Sequence, residues 1–76
     1  MIFEKIRDVV AEQMGVASEK ITEDTTFTKD LGADSLDVFQ IISELEEVFG
    51  LEFSNEDAEK IVTVGNAVEY ISNASK

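Results

Sequence analysis

Near the middle of the chain lies the sequence Leu31-Gly32-Ala33-Asp34-Ser35-Leu36-Asp37, and a periodic apolar run follows it directly as far as Gly50. Asp34 has the side chain of a helix N-cap, and Ser35 after it takes the first helical position. Gly50 follows the last apolar residue, where a helix C-cap belongs. The stretch therefore predicts a helix over about residues 35–49.

This predicted helix has apolar residues on two sides. At about 100° per residue, most of them fall in a stripe roughly 120° wide, as on a helix packed against a core. The residues of the stripe are Val38, Ile41, Ile42, Leu45, Val48 and Phe49. Leu36 and Phe39 lie on the far side, among polar and acidic residues. Ser35 therefore stands beside two apolar residues that the core does not bury, as expected of a serine modified next to a docking surface.

The other helices are predicted from apolar spacing and from capping residues. A first helix covers about residues 2–14, a short one about 55–60 after the cap Ser54, and a last one about 64–73 after the cap Thr63. The sequence therefore predicts an all-α fold, a small four-helix bundle of three longer helices plus one short helix, with a long first loop.

The long first loop covers residues 15–34, which show no extended periodic pattern, although a short turn is expected near residues 18–20. Its length is unusual for a compact domain. Apolar residues spaced along it are expected to anchor it over the helices: Val16, Ile21, Phe27 and Leu31. Ile61 and Val62, before the last helix, are predicted to be core anchors as well.

Composition excludes several kinds of chemistry. The 76 residues include no His and no Cys, so Ser-His-Asp and Cys-His nucleophile systems, structural disulfides and Cys/His zinc sites are impossible. The chain is therefore predicted to be non-catalytic, and its length allows one domain over residues 1–76. No signal h-region or membrane span is present, so we expect a cytoplasmic protein without stable membrane insertion.

The negative charge is unevenly distributed. The net charge is −11, and the window from Asp30 to Glu59 holds ten carboxylates and no Lys or Arg. Nucleic acid and anionic membranes are therefore poor partners. Basic protein surfaces are suitable ones, because complementary charge speeds encounter and fixes orientation.

The seven-residue stretch resembles the attachment motif of the acyl carrier proteins of bacterial type II fatty acid synthesis. The similarity extends over most of the chain and includes residues 12–16, 45–46, 57–61 and 63–64. It implies one acyl-carrier domain, with 4′-phosphopantetheine attached to Ser35 by a phosphopantetheinyl transferase (holo-acyl carrier protein synthase) that uses coenzyme A and magnesium. Asp34 would be recognised by the transferase. Acyl groups would be held as thioesters on the thiol of the arm.

The resemblance also implies partners and a pocket. Fatty acid synthesis enzymes with basic patches would dock transiently on a monomer through Leu36, Asp37, Phe39, Glu46, Glu47 and Glu59. An acyl pocket in the core would be lined by Phe27, Val38, Ile42, Leu45, Phe49, Phe53, Ala58, Ile61, Ala67 and Ile71. We expect Phe53, which is bulkier than the family's usual branched aliphatic residue, to shorten this pocket.

Four positions depart from the family pattern. Gln40 stands where a glutamate is usual, Ser43 where an apolar residue is frequent, and Ser54 and Asn55 replace a common proline and acid. The first two changes leave the carrier role intact but put the usual partner contacts at those points in doubt.

Three other interpretations remain. One is a carrier domain of a polyketide, peptidyl or D-alanyl pathway, since those carriers share the plan of a serine at a helix start. Another is an acidic interaction adaptor without a cofactor. A calcium sensor is disfavoured, because residues 24–30 place Phe27 and Lys29 where an EF-hand needs ligands or glycine. No specific metal site is predicted, although loose divalent binding among clustered carboxylates is expected.

Overall fold

The computed structural model describes residues 2–74. Its helices are α1 (Ile2–Met14), α2 (Ser35–Phe49), α3 (Asn55–Glu59) and α4 (Val64–Ala74), with a single 3-10 turn over Ser18–Lys20. No strand occurs in this part of the chain, where an isolated bridge joins Thr26 and Thr63. The predicted four-helix fold is confirmed, and none of these helices is long and apolar enough to cross a membrane.

The helix boundaries follow the residues that predicted them. Gly50 adopts the left-handed conformation (φ 66°) and its N–H donates to the carbonyl of Glu46, which ends α2. Ser54 caps α3 and Thr63 accepts a hydrogen bond from the N–H of Asn66 at the start of α4. α3 is one residue shorter than predicted, and α4 one residue longer.

The core lies where α1 packs against α2 and α4. Its fully buried large side chains come from all three helices and from the loop: Ile6, Val10, Phe27, Ile41, Leu45, Val64 and Ile71. Burying a side chain of this size contributes about 1.5–3 kcal/mol, so these contacts are the main source of stability for a chain this short.

The long loop is fixed by apolar anchors and by backbone hydrogen bonds. Ile21 and Phe27 are buried, as predicted. The N–H groups of Val64 and Gly65 donate to carbonyls of the loop at 2.9 and 2.8 Å, and the N–H of Phe27 donates back to the α3–α4 connection at 3.1 Å. A Cβ at position 65 would lie 2.9 Å from the carbonyl oxygen of Glu23. Glycine is therefore required there by close approach of the loop.

Two residues predicted to face the core do not. Val48 is 47% exposed and Val62 is 56% exposed. Val48 lies at the edge of the apolar stripe of α2 and in the last turn of this helix. A helical wheel gives the direction of a side chain but not how far neighbouring helices extend along α2, so it does not predict the exposure of Val48. Val62 follows the buried Ile61 in a locally extended segment, where consecutive side chains point in opposite directions. Only one of these two residues can face inward.

Candidate functional site

The start of α2 is held by two reciprocal hydrogen bonds. Asp34 Oδ1 accepts from the N–H of Asp37 at 2.9 Å, and Asp37 Oδ2 accepts from the N–H of Asp34 at 3.3 Å. The predicted N-cap is therefore confirmed, and it forms a complete capping box. Both carboxylates that were assigned to recognition also have a structural role.

The segment before the cap is fixed from inside the molecule. Ala33 is buried and its N–H donates to the carbonyl of Phe27 at 2.9 Å. Gly32 adopts a positive φ of 68°, which turns the chain near the end of the loop. Asp34 and Ser35 then emerge exposed. The buried alanine thus sets where the exposed serine lies.

The hydroxyl of Ser35 is available for chemistry. Within residues 2–74 it makes no hydrogen bond to a side chain. The N–H groups of Ser35 and Leu36 have no acceptor there, because no helical carbonyl lies four residues before them, and the capping box bonds only the amides of Asp34 and Asp37. Free amides and the partial positive charge of a helix N-terminus suit an attached phosphate. The carboxylates of Asp34 and Asp37 oppose this charge, but the exposed hydroxyl and the two amides fit a phosphodiester.

A cavity of about 280 Å³ opens beside this serine. It is lined by Phe27, Thr28, Ser35, Val38, Phe39, Ala58, Glu59, Ile61 and Val62. Four of the residues predicted for an acyl pocket belong to this lining: Phe27, Val38, Ala58 and Ile61. Ser35 and the docking residues Phe39 and Glu59 are therefore brought together at one apolar cavity.

The other predicted pocket residues lie in the core or at its edge. Ile42, Leu45, Ala67 and Ile71 are buried, and Phe49 and Phe53 are half-buried against them. The ring of Phe53 stacks on Tyr70 with centroids 4.3 Å apart, and its N–H donates to Glu46 Oε2 at 2.7 Å. Phe53 is not part of the lining of the 280 Å³ cavity, so its expected effect on pocket length stays a prediction.

The predicted docking residues differ in exposure. Leu36 is 65% and Phe39 54% exposed, and Glu47 and Glu59 are exposed as well. Asp37 and Glu46 are half-buried, and each carboxylate accepts a backbone hydrogen bond. Thr28 and Val62 line the cavity without having been predicted there. Nothing in the sequence indicates that Thr28 lines a cavity. Val62 follows the apolar residue Ile61, so the sequence alone predicts that both face the core and does not indicate that Val62 is exposed.

Two further side-chain contacts involve residues outside the cavity lining. The Gln13 amide donates to the Gln40 side chain, which joins α1 to α2 at a position where the family usually has a charge. The Tyr70 hydroxyl donates to the carbonyl of Glu52 at 3.1 Å, and partial burial, then the nearby carboxylate of Asp57, raise the pKa of Tyr70 above 10.0.

Over residues 2–74, no group of three or more metal-ligating side chains is placed to hold an ion.

Comparison with known proteins gives two findings. Residues 4–71 match the family described as phosphopantetheine attachment site. The structure is similar to that of an acyl carrier protein from Enterococcus faecalis, with a TM-score of 0.81 and 39% sequence identity over 95% of this chain and 91% of that chain.

Proposed function

Because this chain belongs to the acyl carrier proteins of the phosphopantetheine-attachment family, we propose that it carries growing acyl chains in a type II fatty acid synthesis pathway, tethered at Ser35. The family is non-catalytic, is loaded with 4′-phosphopantetheine by a phosphopantetheinyl transferase and works with other enzymes. When attached, this group supplies a thiol that holds acyl groups as thioesters.

The observation that carries the proposal is the free hydroxyl of Ser35 at the mouth of an apolar cavity. In the loading step, Ser35 Oγ forms a bond to phosphorus while the phosphoanhydride bond of coenzyme A breaks and the nucleotide leaves. The proton of the hydroxyl passes to a base of the transferase, because this chain has no His or Cys to accept it.

The residues around Ser35 position the serine and contribute to its recognition by the transferase. The amides of Ser35 and Leu36 have no acceptor within residues 2–74 and would be available to a phosphodiester on Ser35, and the capping box holds the first turn of α2 in register. Each Asp34 and Asp37 carboxylate gives one oxygen to the box, which leaves the other oxygen for a cationic group of the transferase. We therefore assign Asp34 to recognition as well as to capping.

Docking relies on apolar anchors within an acidic surface. Leu36 and Phe39 are the exposed anchors, and Glu47 and Glu59 are exposed carboxylates on α2 and α3. Exposed charge pairs contribute only about 0.2–1 kcal/mol each, so the acids mainly steer and orient basic partners, while the aromatic anchor supplies most of the affinity. Transient docking of this kind fits a monomer in the cytoplasm.

A reconstituted elongation assay tests the pathway. The loaded protein is incubated with purified type II fatty acid synthesis enzymes, and the acyl groups that it carries are identified by mass spectrometry. We expect acyl chains that lengthen by successive two-carbon additions. Loading without elongation, combined with acceptance of aminoacyl, D-alanyl or polyketide groups from their own enzymes, would assign the chain to another carrier pathway. Failure of loading itself would leave the adaptor interpretation.

A further inference from the structure

A single residue of α2 binds three amides of the segment that leads to α3. The backbone carbonyl of Glu46 accepts from the N–H of Gly50 at 2.8 Å and from the N–H of Leu51 at 3.2 Å. Its side chain accepts from the N–H of Phe53, which lies 2.7 Å from Oε2. A carboxylate that accepts at this distance makes one of the stronger hydrogen bonds in proteins. We call residues 50–53 the α2–α3 connection.

The next residue, Glu47, has different surroundings. Glu47 is exposed, whereas Glu46 is half-buried. Consecutive side chains of a helix point about 100° apart, so only one of the two can face the α2–α3 connection. Within residues 2–74 the one ion pair joins Arg7 and Asp8, so neither glutamate is paired with a cation of this part of the chain. Two adjacent acids therefore differ in whether the fold uses their carboxylate.

α3 is too short to hold its own position. It comprises the five residues Asn55–Glu59, and isolated helices shorter than about 12–15 residues are marginal in water. Within the described part of the chain, the backbone hydrogen bonds of residues 54–61 all stay inside that segment. The placement of α3 therefore depends on its buried residues Ala58 and Ile61 and on Phe53, which directly precedes its cap.

Phe53 is held from two sides. Its amide is bound by Glu46 of α2, and its ring stacks on Tyr70 of α4 with centroids 4.3 Å apart. The Tyr70 hydroxyl also donates to the carbonyl of Glu52 at 3.1 Å. Because α3 follows this fixed point directly, its exposed acid Glu59 is presented at a set position.

Building on the proposed function, we infer that Glu46 is a positioning residue for partner docking, and that Glu47 is the acid of this pair that basic partners contact. The carboxylate of Glu46 holds the α2–α3 connection and so places α3 and Glu59 within the acidic surface. What this role requires of position 46 is an acceptor oxygen, whereas contact with a basic partner requires a charge at position 47. The two requirements separate on substitution, because an amide side chain supplies the oxygen without the charge.

Glutamine and alanine at both positions test the assignment. Glutamine keeps an acceptor oxygen and removes the charge, and alanine removes both. Wild type, Glu46→Gln, Glu46→Ala, Glu47→Gln and Glu47→Ala are each titrated by calorimetry, without coenzyme A, against a phosphopantetheinyl transferase that loads wild type. Hydrogen exchange of the Phe53 amide, followed by NMR, reports on the α2–α3 connection in each protein.

At position 47 we expect both substitutions to weaken binding alike, by about 2- to 5-fold, as the loss of an exposed charge pair does. At position 46 alanine should weaken binding by at least as much, and glutamine should recover most of that loss. The Phe53 amide should exchange about tenfold faster or more in Glu46→Ala. It should stay close to its wild-type rate in Glu46→Gln and in both variants of Glu47.

Equal Kd values for Glu46→Gln and Glu46→Ala would overturn the positioning role, and so would a wild-type exchange rate of the Phe53 amide in Glu46→Ala. If Glu46→Ala does not fold, Glu46→Gln decides, because binding as weak as that of Glu47→Gln would make Glu46 a charge contact. Wild-type binding by both variants of Glu47 would remove Glu47 from the docking surface.

These results would leave the carrier function standing, since the mass of loaded wild type establishes that separately. If the transferase neither loads nor binds wild type, the proposed function fails and the docking role of both glutamates fails with it.

Discussion

Two serines lie at the starts of two helices, and their hydroxyls differ in whether they take part in the hydrogen bonds of the fold. Ser54 is itself the N-cap of α3: its hydroxyl accepts from the N–H of Asp57 at 3.1 Å and donates to Asp57 Oδ2 at 2.9 Å. Ser35 follows the N-cap of α2, because Asp34 takes the capping role and bonds to Asp37. One hydroxyl is fully used by the fold, and the other is left free.

The difference comes from the order of two residues. In both helices an Asp lies three residues after the cap, so the local geometry is nearly the same. A carboxylate at the cap satisfies the helix amides and leaves the following serine with no structural duty. Placement of the serine one residue after the cap therefore separates a reactive position from a stabilising one.

The largest expected effect is on loading. Ser35→Ala should abolish the mass gain seen after incubation with coenzyme A, magnesium and a phosphopantetheinyl transferase, because no other hydroxyl has the same position. Ser54→Ala serves as the control and should load as wild type does. Loading of Ser35→Ala, or loss of loading in Ser54→Ala, would reverse the assignment of the two serines.

A second difference concerns partners. Exposed apolar residues accompany Ser35, and Phe39 is the largest of them. Phe39→Ala should weaken binding of a partner enzyme roughly 30-fold, as expected when an aromatic anchor worth about 2 kcal/mol is removed. Val48→Ala on the same helix is the control. Calorimetric titration of loaded proteins measures both, and equal affinities of the two variants would remove Phe39 from the docking surface.

Stability should show the reverse pattern from loading. Asp34→Ala and Ser54→Ala each remove a cap and should cost about 1 kcal/mol, which lowers the melting temperature of a domain of this size by about 4–8 °C. Ser35→Ala should change the free energy of unfolding by less than about 0.5 kcal/mol, as exposed residues usually do. Urea denaturation followed by circular dichroism separates these values. A large loss in Ser35→Ala would mean that its hydroxyl has a structural bond after all.

The smallest effect concerns the carboxylate that pairs with Ser54. Partial burial, then Asp57, raises the pKa of Tyr70 above 10.0 in the folded protein, so Asp57→Asn should lower it. Folding favours the neutral phenol of Tyr70. The contribution of this group to the free energy of unfolding is therefore complete below the pKa of Tyr70 in the unfolded chain, and it is lost as pH rises through the pKa of Tyr70 in the folded protein. Tyr70 is the single tyrosine and there is no Trp, so phenolate absorbance during a pH titration reports this group alone. An unchanged pKa in Asp57→Asn would contradict the coupling.

The parts that sequence predicts well are those decided by neighbours in the chain. The caps Asp34, Ser54 and Thr63 and the glycine that ends α2 act within one helical turn, so their pattern is local. Exposure of Leu36 and Phe39 also follows from helical spacing alone.

The parts that sequence does not predict depend on contacts between distant segments. The sequence alone indicates only that Gly65 is a poor helix former. In the structure the carbonyl of Glu23, in the long loop, approaches Gly65 closely. The stacking of Phe53 on Tyr70 joins two distant parts of the chain, and Val62 lines the cavity rather than the core. Each of these positions is set by how the long loop and α4 pack, which apolar spacing does not encode.

The most direct test is the mass of the protein isolated from its own cell, with fragmentation to locate any added group. The chain has serines at positions 18, 35, 43, 54, 72 and 75, so attachment must be assigned to one of them. We predict a protein heavier by one phosphopantetheine, with or without an acyl group, on the fragment that contains Ser35. An unmodified mass, or the group on any other serine, would contradict the account.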